Sequence, residues 1–241
     1  MSGLLLVRGL VLSSMPIGEY DRRVLLLTKE RGKISAFARG ARKANSPLMA
    51  ASRTNAMGEF EIFEGRNSYN LQNAHISDFF EGLVNDYDSM VTAAYVAEIA
   101  DYYGREGLDA SLMCNLLYVT YKALEKGEVD KKLIRLVYEL RVIDINGECT
   151  DFFKCGICGK EGADNFDKKD LRLLCDNDAQ GHYTQKISPQ ALYTLQFIVT
   201  APLTRLYSFN LKPELFRELE RIVEAIRQRA IDKPMKSAQL L

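Results

Sequence analysis

Lys33-Ile34-Ser35-Ala36-Phe37-Ala38-Arg39 runs straight into Gly40-Ala41-Arg42-Lys43-Ala44-Asn45-Ser46-Pro47. In the first half, side chains of an extended backbone alternate between faces, so Ile34, Ala36 and Ala38 share one side and Lys33, Phe37 and Arg39 the other. The second half holds the glycine, asparagine, serine and proline that end a strand, together with two further cations. The stretch therefore reads as a barrel strand that delivers positive charge to an exposed loop or short helix. Phe37 taken alone reads as a barrel-core residue, whereas the cations through Lys43 suit a polyanion, with single-stranded nucleic acid the best match.

Working outward, β-branched and aromatic runs bounded by turn residues predict strands near 4–12, 22–28, 32–39, 58–63 and 68–76. Five such strands suggest a small barrel within residues 1–80. Glu30-Arg31-Gly32-Lys33 and Glu64-Gly65-Arg66-Asn67 read as tight turns. After Asp78 the apolar spacing becomes helical. Met90, Ala94, Val96, Ala97, Ile99 and Ala100 crowd toward one side, as do Leu112, Leu116, Leu117, Val119 and Leu124, and then Leu133, Leu136, Val137, Leu140 and Val142. Ser188-Pro189 gives an N-cap with proline at the first helical position, and Pro213 announces a last amphipathic helix. The expected organisation is α+β and multidomain: a barrel over 1–80, a helical domain over 81–146 and 188–236, and a cysteine insert over 147–187.

Lys plus Arg and Asp plus Glu each number 32, so the whole chain has no net attraction for polyanions or membranes. Any electrostatic function is regional. Residues 22–53 carry nine cations against the single acid Glu30, a local charge of +8, whereas seven acids face Arg105 alone over 78–106. No apolar run reaches the roughly 20 residues of a membrane span, and Arg8 interrupts the apolar start that resembles a signal peptide. Five cysteines cannot all pair within one molecule, which points to a reducing cytoplasm.

Cys155-Gly156-Ile157-Cys158-Gly159 has the form of a thiolate knuckle, and Cys175 follows at a spacing used by structural zinc ribbons. A second C-x-x-C would put cysteine at 178, where the sequence has Asp178. Three residues are candidates for the fourth ligand: Asp178 by spacing, Cys149 by the match of soft sulfur to zinc, and His182. The expectation is a closed, structural zinc site. Cys114, in an apolar helical run, reads as a core thiol.

At Ala38-Arg39-Gly40-Ala41-Arg42-Lys43-Ala44-Asn45-Ser46 the chain resembles the RecO family of bacterial recombination mediators, and the likeness in the order of parts extends over nearly its whole length. The resemblance implies an OB-fold barrel, a helical domain and a zinc-finger-like element that bind single- and double-stranded DNA. It further implies annealing of complementary strands and, with RecR, help for RecA in replacing single-strand-binding protein, in the cytoplasm at the nucleoid. The matching loop assigns DNA binding to Arg39, Arg42 and Lys43; Lys29, Arg31 and Lys33 join them on charge pattern alone. Ser46 reads as a local turn or cap.

Two other classes are set against this reading. A zinc-dependent hydrolase or nuclease is disfavoured by the presence of only two histidines, His75 and His182, and by the lack of H-E-x-x-H, phosphate-cradling or nucleophile-elbow motifs. An RNA-binding OB-fold and zinc protein of translation or transcription is the other alternative, but the basic loop has no feature that reads a 2′-hydroxyl. The sequence thus favours a non-enzymatic DNA binder.

Overall fold

The computed structural model describes residues 3–241; residues 1 and 2 of the expected barrel segment lie outside that range. Five strands, β1 (Gly3–Ile17), β2 (Asp21–Thr28), β3 (Gly32–Ala38), β4 (Met57–Glu64) and β5 (Tyr69–Asp78), close into a barrel of order β1-β2-β3-β5-β4. All neighbours are antiparallel except β3 and β5, which meet in parallel at Ala36–Tyr69 and Phe37–Asn70. This connectivity is that of an OB-fold. A single short helix, α1 (Leu48–Ala51), interrupts the link from β3 to β4.

Alternation along the strands builds the barrel core. Val7, Val24, Leu26, Ile34, Ala36, Ala38, Phe60 and Ile62 all point inward and are buried. Where β1 meets β4, Gly9 pairs with Gly58. A Cβ on Gly9 would lie 2.2 Å from the Leu27 carbonyl oxygen of β2, and one on Gly58 2.1 Å from that of His75 of β5, so the close approach of these flanking strands depends on missing side chains.

By packing, the described chain forms two compact units, one running through Glu125 and including Met235–Leu241, the other spanning Lys126–Pro234. The first unit joins the barrel to α2 (Tyr87–Tyr103) and most of α3 (Ser111–Lys126). Helix α2 starts at Asp86, whose side chain accepts from the Ser89 N–H. It is buried around most of its circumference, so Met90 and Ala94, expected on its core face, are instead exposed. Leu112 also points outward, at the first turn of α3. Cys114 is a core thiol as expected: it is buried beside the Leu27 carbonyl, and burial pushes its pKa up to about 12.

In the second unit α4 (Lys131–Ile145), α5 (Pro189–Thr200) and α6 (Pro213–Ala230) pack on one another. Ser188 caps α5 by accepting from the Ala191 N–H, and its own hydroxyl donates to Glu218 of α6, 2.7 Å away. Between α4 and α5 lies a small sheet of order β7-β6-β8, made of β6 (Asn165–Asp167), β7 (Arg172–Leu174) and β8 (Thr184–Lys186).

Candidate nucleic-acid interface and metal centre

Strand β3 separates the six candidate cations into two groups. Its seven residues span roughly 20 Å, with Lys29, Arg31 and Lys33 at its start and Arg39, Arg42 and Lys43 beyond its end. Of the starting group only Lys33 has its charge engaged by the first unit's own helical segment, whereas Lys29 and Arg31 are held there through their backbone alone. Lys33 Nζ lies 2.7 Å from Asp101 Oδ1 and also donates to the Asp101 carbonyl. The backbone of Lys29 and Arg31 accepts from the Ala110 and Gly107 N–H groups. Gly32, at φ +62°, completes this junction, because a Cβ there would lie 2.0 Å from the Arg105 carbonyl oxygen.

Arg39, Arg42 and Lys43 are exposed, and among the described residues none of them is in an ion pair. Their loop is nonetheless fixed. Gly40 N–H donates to Asp21 Oδ1 at 2.7 Å, Arg42 N–H to the Tyr20 carbonyl at 2.8 Å, and an Arg42 guanidinium nitrogen to the Gly18 carbonyl. The β1–β2 turn is thereby joined to the basic loop. Ser46 Oγ accepts from the Leu48 N–H, a local turn.

Glu30, the lone acid of the basic stretch, does not offset this charge, because it accepts from both the backbone N–H and the Nε of Arg8. Partial burial opposes its ionisation, but those hydrogen bonds prevail and hold it below the usual carboxylate range.

Phe37 is not a core residue. Along β3 the buried positions are Gly32, Ile34, Ala36 and Ala38, so Phe37 lies half-buried on the outer row with Lys33 and Ser35. Pairing carries that row across the barrel, from Met15 of β1 to Arg23 of β2, Phe37 of β3 and Asn70 of β5. Arg23 Nε is held by Ser35 Oγ at 2.7 Å. Tyr20, Arg23 and Met15 were not among the site residues singled out from sequence, since strand pairing brings Met15 and Arg23 into this row and a backbone hydrogen bond from Arg42 holds Tyr20 at the loop.

In the insert, Cys155, Cys158, Cys175 and Asp178 converge, with one potential ligand atom from each lying within 4.8 Å of all the others. Cys155 and Cys175 Sγ lie 3.1 and 3.2 Å from Asp178 Oδ2, and Cys158 and Cys175 Sγ are 3.8 Å apart. That sulfur separation fits a tetrahedral edge built on metal–sulfur bonds of about 2.3 Å. Burial opposes ionisation of Cys155, but the backbone N–H groups of Cys158, Cys175 and Ile157 outweigh it and lower its pKa, whereas the Asp178 carboxylate beside it pushes the Cys158 thiol up to about 12. The donor set of three thiols and one carboxylate can therefore hold a metal ion.

Cys149 is excluded from this cluster. It lies just beyond the end of α4, where burial above all, and then the charge of Asp144, push its pKa to about 12, so it is a neutral thiol. His182 is also outside, its Nδ1 3.2 Å from Asp167 Oδ2. Among the described residues no helix is long and apolar enough to cross a membrane.

Comparison with known proteins agrees with this architecture. Residues 1–80 match the family model described as Recombination protein O N terminal, and residues 84–239 match Recombination protein O C terminal. Similar proteins include the DNA repair protein RecO of Bacillus subtilis (strain 168), 28% identical over 97% of this chain and 92% of that protein. The DNA repair protein RecO of Bacillus pumilus (strain SAFR-032) is 29% identical over 90% and 85% respectively. That of Clostridium kluyveri is 24% identical over 97% and 91%.

Proposed function

Because the chain belongs to the RecO family of DNA repair and recombination proteins, we propose that it anneals complementary DNA strands and, with RecR, helps RecA load onto DNA coated by single-strand-binding protein. The observation that carries this reading is the rigid, exposed loop of Arg39, Arg42 and Lys43 on an OB-fold barrel, in a chain whose total charge is zero. Cations fixed in place and free of ion pairs meet phosphates without first giving up a carboxylate partner. Annealing needs two strands held by their backbones with their bases left to pair, and a phosphate-directed platform does this without sequence preference.

The chain acts by binding, not by turnover, and its place of action is the cytoplasm, at the nucleoid. Residues 1–80 serve as the DNA-binding module. The metal of the Cys155, Cys158, Cys175 and Asp178 cluster is zinc. Its role is to staple the insert, because four protein ligands leave no open position for chemistry.

The test is annealing of complementary strands precoated with cognate single-strand-binding protein. The parent should accelerate annealing, and a variant with Arg39, Arg42 and Lys43 all replaced by Gln should lose most of that acceleration while remaining folded. Binding to matched RNA that equals or exceeds binding to DNA would favour an RNA-binding function instead.

A further inference from the structure

We infer that Tyr20 is a stacking platform for an unpaired base, so that the barrel distinguishes single-stranded from duplex DNA at the tip of its β1–β2 turn. This inference rests on the barrel being the DNA-binding module and adds what that module does with bases. Tyr20 is 46% exposed, although it is a large aromatic residue on a folded barrel. It is also held in place. Its carbonyl accepts from Arg42 N–H at 2.8 Å, the neighbouring Asp21 carboxylate accepts from Gly40 N–H, and Lys43 Nζ sits 5.5 Å from the centre of its ring.

The ring is therefore fastened, through main chain and side chain, to the loop that supplies the phosphate-binding cations. A fixed aromatic ring beside fixed cations is the minimal device for single strands: the cations track the backbone and the ring takes a base. Lys43 over one face of the ring adds a cation–π contact and leaves a stacked base to use the remaining exposed surface. The row of Met15, Arg23 and Phe37 continues this surface across β1, β2 and β3, and Met15 is 58% exposed. In a duplex the bases are already stacked on one another, so Tyr20 has nothing to receive. The phosphate contacts alone remain.

The experiment compares parent, Tyr20→Ala, Tyr20→Trp and the Arg39/Arg42/Lys43→Gln triple variant on an oligothymidylate and on a duplex of the same length, across salt concentrations. Tyr20→Ala should weaken oligothymidylate binding by about 5- to 100-fold, leave duplex binding and the salt slope unchanged, and be rescued by Tyr20→Trp. If Tyr20→Ala binds the single strand like the parent while the triple variant does not, the stacking role is wrong and the barrel remains the platform. Equal losses on both DNAs would also overturn it, because a contact felt by duplex is not a stacked base. If Tyr20→Ala and the triple variant both bind like the parent, the barrel assignment fails and takes the stacking role with it.

Discussion

Two lysines only ten residues apart show how much a residue's neighbours decide its use. Lys33 and Lys43 look alike in sequence, yet the Lys33 ammonium is within 2.7 Å of Asp101, whereas Lys43 is exposed over an aromatic ring. Replacing Lys33 with Met should therefore leave the salt dependence of DNA binding unchanged, and, because the ion pair is partly exposed, cost on the order of 1 kcal/mol or less of stability. A slope that falls as it does for the exposed loop would show that Lys33 does reach phosphate.

The metal cluster gives a second prediction at this scale. The protein purified without chelator should carry about one zinc per chain. Cys149→Ser should keep it under a chelator challenge that strips Asp178→Ala. The opposite order, measured by metal analysis, would make Cys149 the fourth ligand. Spacing alone favoured Asp178 and ligand chemistry alone favoured Cys149; the structure gathers Asp178, and not the half-buried Cys149, with Cys155, Cys158 and Cys175, which no motif records. Phe37 illustrates the same limit. Alternation placed it on the face of Lys33 correctly, but its aromatic character suggested the core, and only the closed barrel shows which face is inside.

Strands and helices were more legible than residues, because their signals are repeated. All five barrel strands overlap the segments that alternation and turn residues predict, although β1 runs on to Ile17, well past the expected end near residue 12, and Ser188-Pro189 begins α5 as its capping chemistry requires. Less legible was α2, which is buried on most sides and so carries no single apolar stripe to read. The β2–β3 turn was recognised from Gly32, but its second duty was not: the glycine also lets the Arg105 and Leu108 carbonyls approach. Gly32→Ala combines a disfavoured positive φ with a 2.0 Å backbone clash, and should cost about 3 kcal/mol or more. Thermal or denaturant unfolding measures this. A loss below about 1 kcal/mol would mean that the turn relaxes freely and the junction is not tight.

Across the whole molecule, a zero net charge conceals a division of labour. The +8 stretch over residues 22–53 forms two strands and the basic loop of an OB-fold barrel, and the acidic stretch after it supplies Asp101, which takes up one of those cations. Total charge is silent about DNA here, and local charge with its pairing is informative. The family membership agrees with this reading, since its N-terminal match covers the barrel and its C-terminal match covers residues 84–239. The central claim is that Arg39, Arg42 and Lys43 are the phosphate contacts of the molecule, and the salt dependence of single-strand binding tests it most directly. Neutralising all three should lower the slope of log affinity against log salt by about 2, at roughly 0.7 per contact on a single strand, with far-UV circular dichroism and melting unchanged. A folded triple variant with the parent's slope and affinity would contradict the account and place the DNA on another surface.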